Sequence, residues 1–250
     1  MEAIGACGNC HTPFGPNGPD QGRALSGRLV DDNPAFTAYA PNITPAGPVG
    51  SWSDADLARA IREGLRPDGT LIGPPMPIGL YRGLSDSDLA AIVAYLRTVP
   101  AVENTVPPSV YRIALPPSWG PPVDHVADVP AGQTIAYGAY LAGPVAHCME
   151  CHTPMTPQGP DHDNPGAGGM VFNGPWGESV AANLTPHPEG IARWSDADLA
   201  RMITTGTRPD GTQMLPPMGY GYYAQAKPED ISAIILYLRA LPPRPTPERP

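Results

Sequence analysis

Cys7-Gly8-Asn9-Cys10-His11 is the stretch around which the chain is organised, and it returns as Cys148-Met149-Glu150-Cys151-His152. The pattern C-x-x-C-H is typical of covalent haem attachment. Two thiols three positions apart on one helical turn can each form a thioether with a haem vinyl group, and the next residue can offer an imidazole to the iron. The sequence therefore predicts thioether bonds at Cys7, Cys10, Cys148 and Cys151, with proximal iron ligands at His11 and His152.

Two other readings of paired cysteines are open at this point. A C-x-x-C pair can be half of a zinc site or a redox dithiol. A thioredoxin-like dithiol needs a βαβ pattern, which the sequence does not show. Two pairs could together bind zinc, but each pair is followed at once by histidine, and the two motifs use all four cysteines of the chain. Haem attachment is the favoured interpretation.

Composition fits two small domains with little core of their own. The 250 residues suit two domains of about 100–125 residues each. The chain has 28 Gly and 36 Pro but only 7 % aromatic residues, so a macrocycle in each half would supply missing apolar mass. The net charge of −9 argues against nucleic acid and anionic membrane surfaces as partners. No stretch approaches the ~20 apolar residues of a membrane span.

The chain is one unit written twice. Cys7 and Cys148 are related by a shift of 141, and one insertion later the shift is 142. The repeats include Asn42–Pro45 with Asn183–Pro186, Trp52–Arg59 with Trp194–Arg201, Arg66–Thr70 with Arg208–Thr212, and Tyr95–Arg97 with Tyr237–Arg239. We predict a first domain over 1–100, a Pro-rich linker over 101–130, a second domain over 131–243 and a Pro-rich tail over 244–250. The first domain has only six residues before its motif, so we expect its N-terminal helix to be truncated.

Short helices are the regular structure that the pattern predicts. Ser53 and Asp56 form a capping-box pattern before a narrow apolar stripe that ends at Gly64. A second helix begins at Ser85, and its equivalent in the second copy begins at Pro228. No strand pattern of convincing length is present. We predict an all-α, loop-rich fold of two tandem domains, each wrapped around one covalently bound haem.

The second axial ligand of each iron decides between electron carriage and chemistry at an open site. Met76 and Met218 occupy matching positions, each after a Pro-Pro pair. A thioether opposite imidazole favours Fe(II) and raises the potential. Packing is the usual fate of methionine, but the match between the copies favours ligation. The competing candidates are Met214, whose counterpart is Ile72, and histidines that have no counterpart in the first copy. Those histidines are His125, His147, His162 and His187.

Other repeated side chains allow two readings each. Trp52 and Trp194 either wall the haem, or bond a propionate, or pack in the core. Asn42 and Thr44, with Asn183 and Thr185, either donate to haem edges or shape an Asx turn. We expect a backbone carbonyl of the loops 13–19 and 154–160 to accept a hydrogen bond from each proximal imidazole N–H.

Taken together, these residues resemble diheme class I cytochromes c, and specifically the cytochrome c subunits of bacterial periplasmic or membrane-bound dehydrogenases of alcohol, gluconate or aldehyde type. The two C-x-x-C-H motifs, the Asn-Ile-Thr-Pro and Asn-Leu-Thr-Pro turns, the Trp-Ser-Asp-Ala-Asp-Leu helix starts and the Met loops carry the resemblance. It implies haem at Cys7, Cys10 and His11 with Met76 as axial ligand, and at Cys148, Cys151 and His152 with Met218. The chain departs from the larger members, which have three haem domains and a membrane anchor, and from the usual Met-Pro-Tyr loop.

The resemblance implies an electron-transfer protein rather than an enzyme. We expect two haem c groups, a dehydrogenase as donor, and a cytochrome or oxidase as acceptor, with no nucleic acid and no membrane span in this chain. We also expect a bacterial periplasmic or extracytoplasmic location, with the export signal removed or truncated. The alternatives are a diheme enzyme (peroxidase or sulfur-compound oxidation) with one labile distal site, a gas sensor, and a colourless zinc module.

Overall fold

A computed structural model describes residues 2–15, 18–156, 159–174 and 176–248 of the chain. The chain divides into two compact units, Ala6–Asp128 and Val129–Pro250, with Met1–Glu2 grouped with the first and Ala3–Gly5 with the second. Each unit contains one C-x-x-C-H motif. The predicted four-part division into domains, linker and tail stays a prediction.

The first unit combines short helices with short antiparallel strands. Helix α1 (Glu2–Gly5) comes first in the chain. The helices of the first unit are α2 (Cys7–His11), α3 (Asp54–Glu63), α4 (Ile78–Tyr81) and α5 (Asp86–Thr98). Its strands are β1 (Phe14–Gly15), β2 (Gly18–Pro19), β3 (Arg28–Asp32), β4 (Phe36–Ala40) and β5 (Val110–Tyr111). β1 pairs with β2, while β3, β4 and β5 form a three-stranded antiparallel sheet in that order.

The second unit repeats this plan with smaller sheets. Its helices are α6 (Ile135–Tyr140), α7 (Cys148–His152), α8 (Asp196–Thr205), α9 (Tyr220–Tyr223) and α10 (Pro228–Ala240), with a π-helical turn over Leu141–Val145 after α6. Its strands are β6 (Met155–Thr156), β7 (Gly159–Pro160), β8 (Val171–Gly174) and β9 (Gly177–Val180). β6 pairs with β7 and β8 with β9, both antiparallel.

The prediction of an all-α fold was wrong. Among the described residues, helices of all types make up 35 % and strands 13 %, the latter in several small sheets. The strands were not predicted from the sequence because they are short and irregular. β3 and β4 have five residues each, and their register shifts between Leu29 and Asp31, which breaks the period-2 pattern that identifies strands. Segments rich in Pro and Gly must still pair their buried backbone groups, and these hairpins do so.

The helix signals predicted for α3, α5 and α10 are confirmed, and α8 repeats α3 in the second copy. The side chain of Ser53 accepts a hydrogen bond from the backbone N–H of Asp56, and Gly64 ends α3 in the left-handed conformation. Ser195 forms a complete capping box with Asp198 at the start of α8. Pro228 occupies the first turn of α10, where its missing N–H costs nothing.

Helix α6 packs against α10, and a glycine permits their close approach. A Cβ atom at Gly138 would lie 1.9 Å from the carbonyl oxygen of Ala233 and 2.9 Å from Cβ of Tyr237. Ala233 is completely buried, as are most apolar side chains of α10. The contact fixes α6, which leads through the π-helical turn into the second motif.

Residues 99–128, which follow α5, form hydrogen bonds with other parts of the first unit. The Trp119 indole N–H donates to the carbonyl of Ile72 at 2.8 Å, and the Tyr111 hydroxyl donates to that of Pro74 at 3.1 Å. Asp86 accepts from the backbone N–H of Val126, forms an ion pair with Arg62 at 2.7 Å, and lies 2.6 Å from Nδ1 of His125. Along these residues the Pro-rich stretch lies against its own copy.

We expect Gly138→Ala to destabilise the second unit, because the added methyl group collides with backbone of α10. The cost should be ~1–3 kcal/mol in the free energy of unfolding. Urea unfolding of the haem-matured protein, followed by circular dichroism, measures it. Gly143→Ala is the matched control, since a Cβ there meets nothing within 4 Å. Equal effects of the two substitutions would contradict the packing described.

Candidate functional site

The two motifs fold as the same single helical turn. α2 and α7 each begin at the first cysteine of the motif and end at its histidine. The residues before them, Ala6 and His147, have φ of 44° and 43°, so the chain enters both turns through a left-handed residue. All four cysteines are half-buried. Each turn therefore holds two thiols and one imidazole, as the spacing predicts.

Each motif histidine is oriented by a backbone carbonyl. Nδ1 of His11 lies 2.8 Å from the carbonyl oxygen of Pro41, and Nδ1 of His152 lies 2.7 Å from that of Ala182. A carbonyl can only accept, so Nδ1 carries the proton and the Nε2 lone pair is left for a metal. The expected acceptors in loops 13–19 and 154–160 were wrong, although residues 16, 17, 157 and 158 lie outside the described part. The chain returns beneath the ring only 30 residues later.

Burial keeps these imidazoles neutral. It lowers the pKa of His11 to about 4, more than the hydrogen bond to Pro41 raises it, and burial also lowers the pKa of His152. Neutral imidazole is the form that binds a metal. Burial raises the pKa of Cys148 to about 12, so this residue is a thiol rather than a thiolate at neutral pH. That state is unlike the low-pKa cysteine of a redox dithiol.

In each copy a loop that follows the motif forms hydrogen bonds back to the end of the motif. We call residues 24–27 and 165–168 the return loops. In the first copy the Gly27 N–H donates to the His11 carbonyl at 2.7 Å, and the Leu25 N–H donates to the buried Thr12 hydroxyl at 3.1 Å. A Cβ at Gly27 would lie 2.7 Å from the Ala40 carbonyl oxygen, so only glycine fits. The second copy repeats both bonds, from Gly168 to His152 at 2.8 Å and from Gly166 to Thr153 at 3.3 Å.

The repeated Asn and Thr residues form Asx turns. Oδ1 of Asn42 accepts from the N–H and the hydroxyl of Thr44 at 2.9 and 2.7 Å, while its Nδ2 donates to the Val102 carbonyl at 2.8 Å. In the second copy Asn183 bonds Thr185 in the same way and donates to Arg244 at 2.7 Å. These side chains thus shape the turn that follows Pro41 or Ala182 and hold the segment leaving the last helix.

An arginine on the last helix of each copy was not singled out from the sequence. Arg97 donates to the carbonyls of Val49 and Trp52 at 2.7 and 2.6 Å and pairs with Asp54 at 2.9 Å. Arg239 repeats this with Ile191, Trp194 and Asp196. The repeated Tyr-Leu-Arg triplet could have indicated this arginine. An arginine at the same helix position in both copies is expected to make the same contacts in each. Each arginine fixes the backbone of the repeated tryptophan.

The two predicted methionines lie in equivalent loops. Met76 and Met218 are half-buried, each directly after a cis Pro-Pro bond and just before α4 or α9. The Tyr223 hydroxyl of α9 donates to the carbonyl of Ala146 at 3.2 Å, in a buried contact two residues before Cys148. This bond joins the helix after the Met218 loop to the chain that enters the second motif.

Three of the remaining histidines lie beside carboxylates. His125 contacts Asp86, His147 lies 3.1 Å from Glu150, and His187 lies 3.9 Å from Glu189. His162 is solvent-exposed. Among residues 2–15, 18–156, 159–174 and 176–248, no three His, Cys, Asp or Glu side chains converge as a metal site would require. The arrangement therefore gives the zinc interpretation no support.

Comparison with known proteins agrees with this geometry. Residues 3–100 match the cytochrome c family. A diheme cytochrome c-type protein of Cereibacter sphaeroides is 30 % identical over 264 residues, which cover 95 % of this chain and 82 % of that protein. The chain belongs to the cytochrome c family.

Two further relatives of this cytochrome are subunits of larger assemblies. The fructose dehydrogenase cytochrome subunit of Gluconobacter japonicus is 32 % identical over 94 % of the chain. The cytochrome c subunit of the quinone alcohol dehydrogenase of Gluconacetobacter polyoxogenes is 29 % identical over 97 %. The chain spans 50 % and 54 % of these two proteins. None of the described helices is both long and apolar enough to cross a membrane.

Membership of the family implies covalently bound haem c. The donor set fits that group. Each motif presents two half-buried cysteines and one neutral, oriented imidazole on a single helical turn. The residues that could hold haem c are therefore Cys7, Cys10 and His11 in the first unit, and Cys148, Cys151 and His152 in the second.

We expect Asn183→Ala to weaken the second unit, because the Thr185 N–H and the Arg244 carbonyl lose their buried partner. The loss should be ~1–3 kcal/mol in the free energy of unfolding. Chemical denaturation of the matured cytochrome measures it. Asn173→Ala is the control, since that side chain is exposed on β8. A loss no larger than the control's would show that the Asx turn does not support the site.

Proposed function

We propose that this cytochrome carries two covalently bound haem c groups, each with His/Met axial ligation, and passes electrons one at a time between proteins. The observation that carries the proposal is the duplication of the whole site. Both units contain the motif turn, the oriented imidazole, the return loop, the Asx turn and the methionine loop. The hydrogen bonds of the imidazole, the return loop and the Asx turn are the same in the two units. When bound, haem c supplies a one-electron Fe(III)/Fe(II) couple.

The role of the protein is to hold each haem group through its motif cysteines and histidine. Cys7 and Cys10 would form the thioethers of the first site, and Cys148 and Cys151 those of the second. His11 and His152 would be the proximal ligands, because their Nδ1 atoms are already bonded to Pro41 and Ala182. The carbonyl partner fixes the ring plane and makes the imidazole a stronger donor to iron.

Met76 and Met218 would be the distal ligands. Both are half-buried, and both loops are followed immediately by a helical turn over equivalent residues. Met214 is the rival at the second site, but its counterpart in the first copy is Ile72. A methionine bound on the distal side leaves no open position for a substrate, which favours electron transfer over a peroxidase-like reaction.

A dehydrogenase is the proposed electron donor, with a downstream respiratory cytochrome or oxidase as acceptor. Relatives named as cytochrome subunits of fructose, alcohol and gluconate dehydrogenases support a protein partner of this class. We also propose a periplasmic or otherwise extracytoplasmic location, as is typical of such subunits. The net charge of −9, before any propionates are counted, suits a redox partner with a basic docking face.

The decisive experiment quantifies haem and its distal ligand in the matured protein. Pyridine haemochrome analysis should give two haems per chain. The oxidised protein should show the sulfur-to-iron charge-transfer band at the intensity of two Met-ligated haems. Met76→Ala and Met218→Ala should each remove half of the band, because each substitution removes one thioether ligand.

Met214→Ala is the matched control, and it should leave the band intact. Loss of half of the band in Met214→Ala instead of Met218→Ala would reassign the second ligand. A high-spin spectrum in the unsubstituted protein would show an open distal face and contradict His/Met ligation. A single haem per chain would contradict the diheme proposal.

A further inference from the structure

One arginine distinguishes the surroundings of the two motifs. Nη2 of Arg28 donates to the carbonyl of Asn9 at 2.8 Å, inside the first motif and two residues before His11. Its Nη1 donates to the Leu29 carbonyl at 2.7 Å, and its guanidinium lies 4.6 Å from the centre of the Phe14 ring. Arg28 is half-buried. Three contacts thus hold a partly desolvated positive charge against the first motif.

The second motif has the opposite charge pattern. By the shift of 141 that relates Cys7 to Cys148, Arg28 corresponds to Gly169, and the neutral Asn9 corresponds to Glu150. The Glu150 side chain is 28 % exposed and lies 3.1 Å from Nδ1 of His147. The second motif therefore carries a carboxylate where the first carries an amide, and it lacks the arginine.

Both differences act in the same direction on a bound haem. Fe(III) carries one more positive charge than Fe(II), so a fixed cation nearby disfavours the oxidised form and a fixed anion favours it. Half-buried charges are screened less than exposed ones. Arg28 is bonded to the motif itself, at the carbonyl of Asn9, whereas Glu150 is a residue of the second motif.

We propose that Arg28 and Glu150 set the order of the two reduction potentials, with the first haem higher than the second. The proposal rests on the diheme function proposed above. Each charge should change the equilibrium constant for electron exchange by on the order of tenfold. An electron that leaves the second site oxidises Fe(II) to Fe(III) there and reduces Fe(III) to Fe(II) at the first. At equilibrium a single electron resides mainly at the first site.

Spectroelectrochemical titration of the matured two-haem protein tests this order. The titration is done at low ionic strength and pH 8, above the range in which histidine side chains ordinarily titrate. Two waves are expected. Arg28→Gln should lower the upper wave and leave the lower one in place, whereas Arg28→Lys, which keeps the charge, should stay close to the unsubstituted protein.

The second site is tested through its carboxylate. Glu150→Gln should raise the lower wave and leave the upper one in place. An arginine at Gly169 is unsuitable, because that residue has φ of 92° and would be strained by a side chain. Arg23→Gln and Glu178→Gln are matched controls, since both side chains are exposed, and neither should move a wave. Added salt should bring the two waves of the unsubstituted protein closer together.

The outcomes separate this inference from the function on which it rests. Two haems with the full charge-transfer band, but with an Arg28→Gln shift in the lower wave or in neither, would overturn the order and leave the function standing. Two waves whose separation is insensitive to salt and to Glu150→Gln would do the same. Fewer than two haems per chain would overturn both proposals. If Arg28→Gln does not mature, Glu150→Gln and the salt series still decide.

Discussion

The hydrogen bond from the motif imidazole to a backbone carbonyl is the interaction on which both units depend. It fixes the tautomer and the ring plane of His11 and His152, and it can form only if the chain returns beneath the ring 30 residues later. Other parts of each unit stabilise the loop that brings this carbonyl to the ring. A glycine allows the loop to pass the motif, and an Asx turn then bends the backbone directly after the carbonyl. The buried polar groups are satisfied together, which makes the arrangement cooperative.

Much of the candidate site was readable from the sequence because its chemistry lies in contiguous residues. The motif spacing, the capping residue Ser53 and the terminal Pro228 act within one or two helical turns, where pattern and structure correspond closely. The Met76 and Met218 loops were found by internal repetition, which needs no knowledge of the fold. Their role as ligands is still a prediction, as are the thioether bonds.

What the sequence could not show depends on contacts between distant residues. The short strands fell below the length at which alternation is informative, and a bulge in β3 shifted the register. The acceptors Pro41 and Ala182 contribute only a main-chain oxygen, so no side chain marks them. Arg28 was not singled out from the sequence, because its bond to the Asn9 carbonyl joins residues 19 positions apart. Comparing the two copies identified the features that they share. It gave no weight to residues, such as Arg28, that occur in only one of them.

The bonds that hold the chain as it leaves the last helix of each copy have a consequence for the history of the molecule. Val102 and Arg244 are both tied back to the asparagine turn of their own repeat, so the outgoing chain completes the unit from which it came. A gene segment encoding such a self-closing module can be duplicated in tandem without any change to its interior. Single charges beside each motif, such as Arg28 and Glu150, can then diverge between the copies by point mutation.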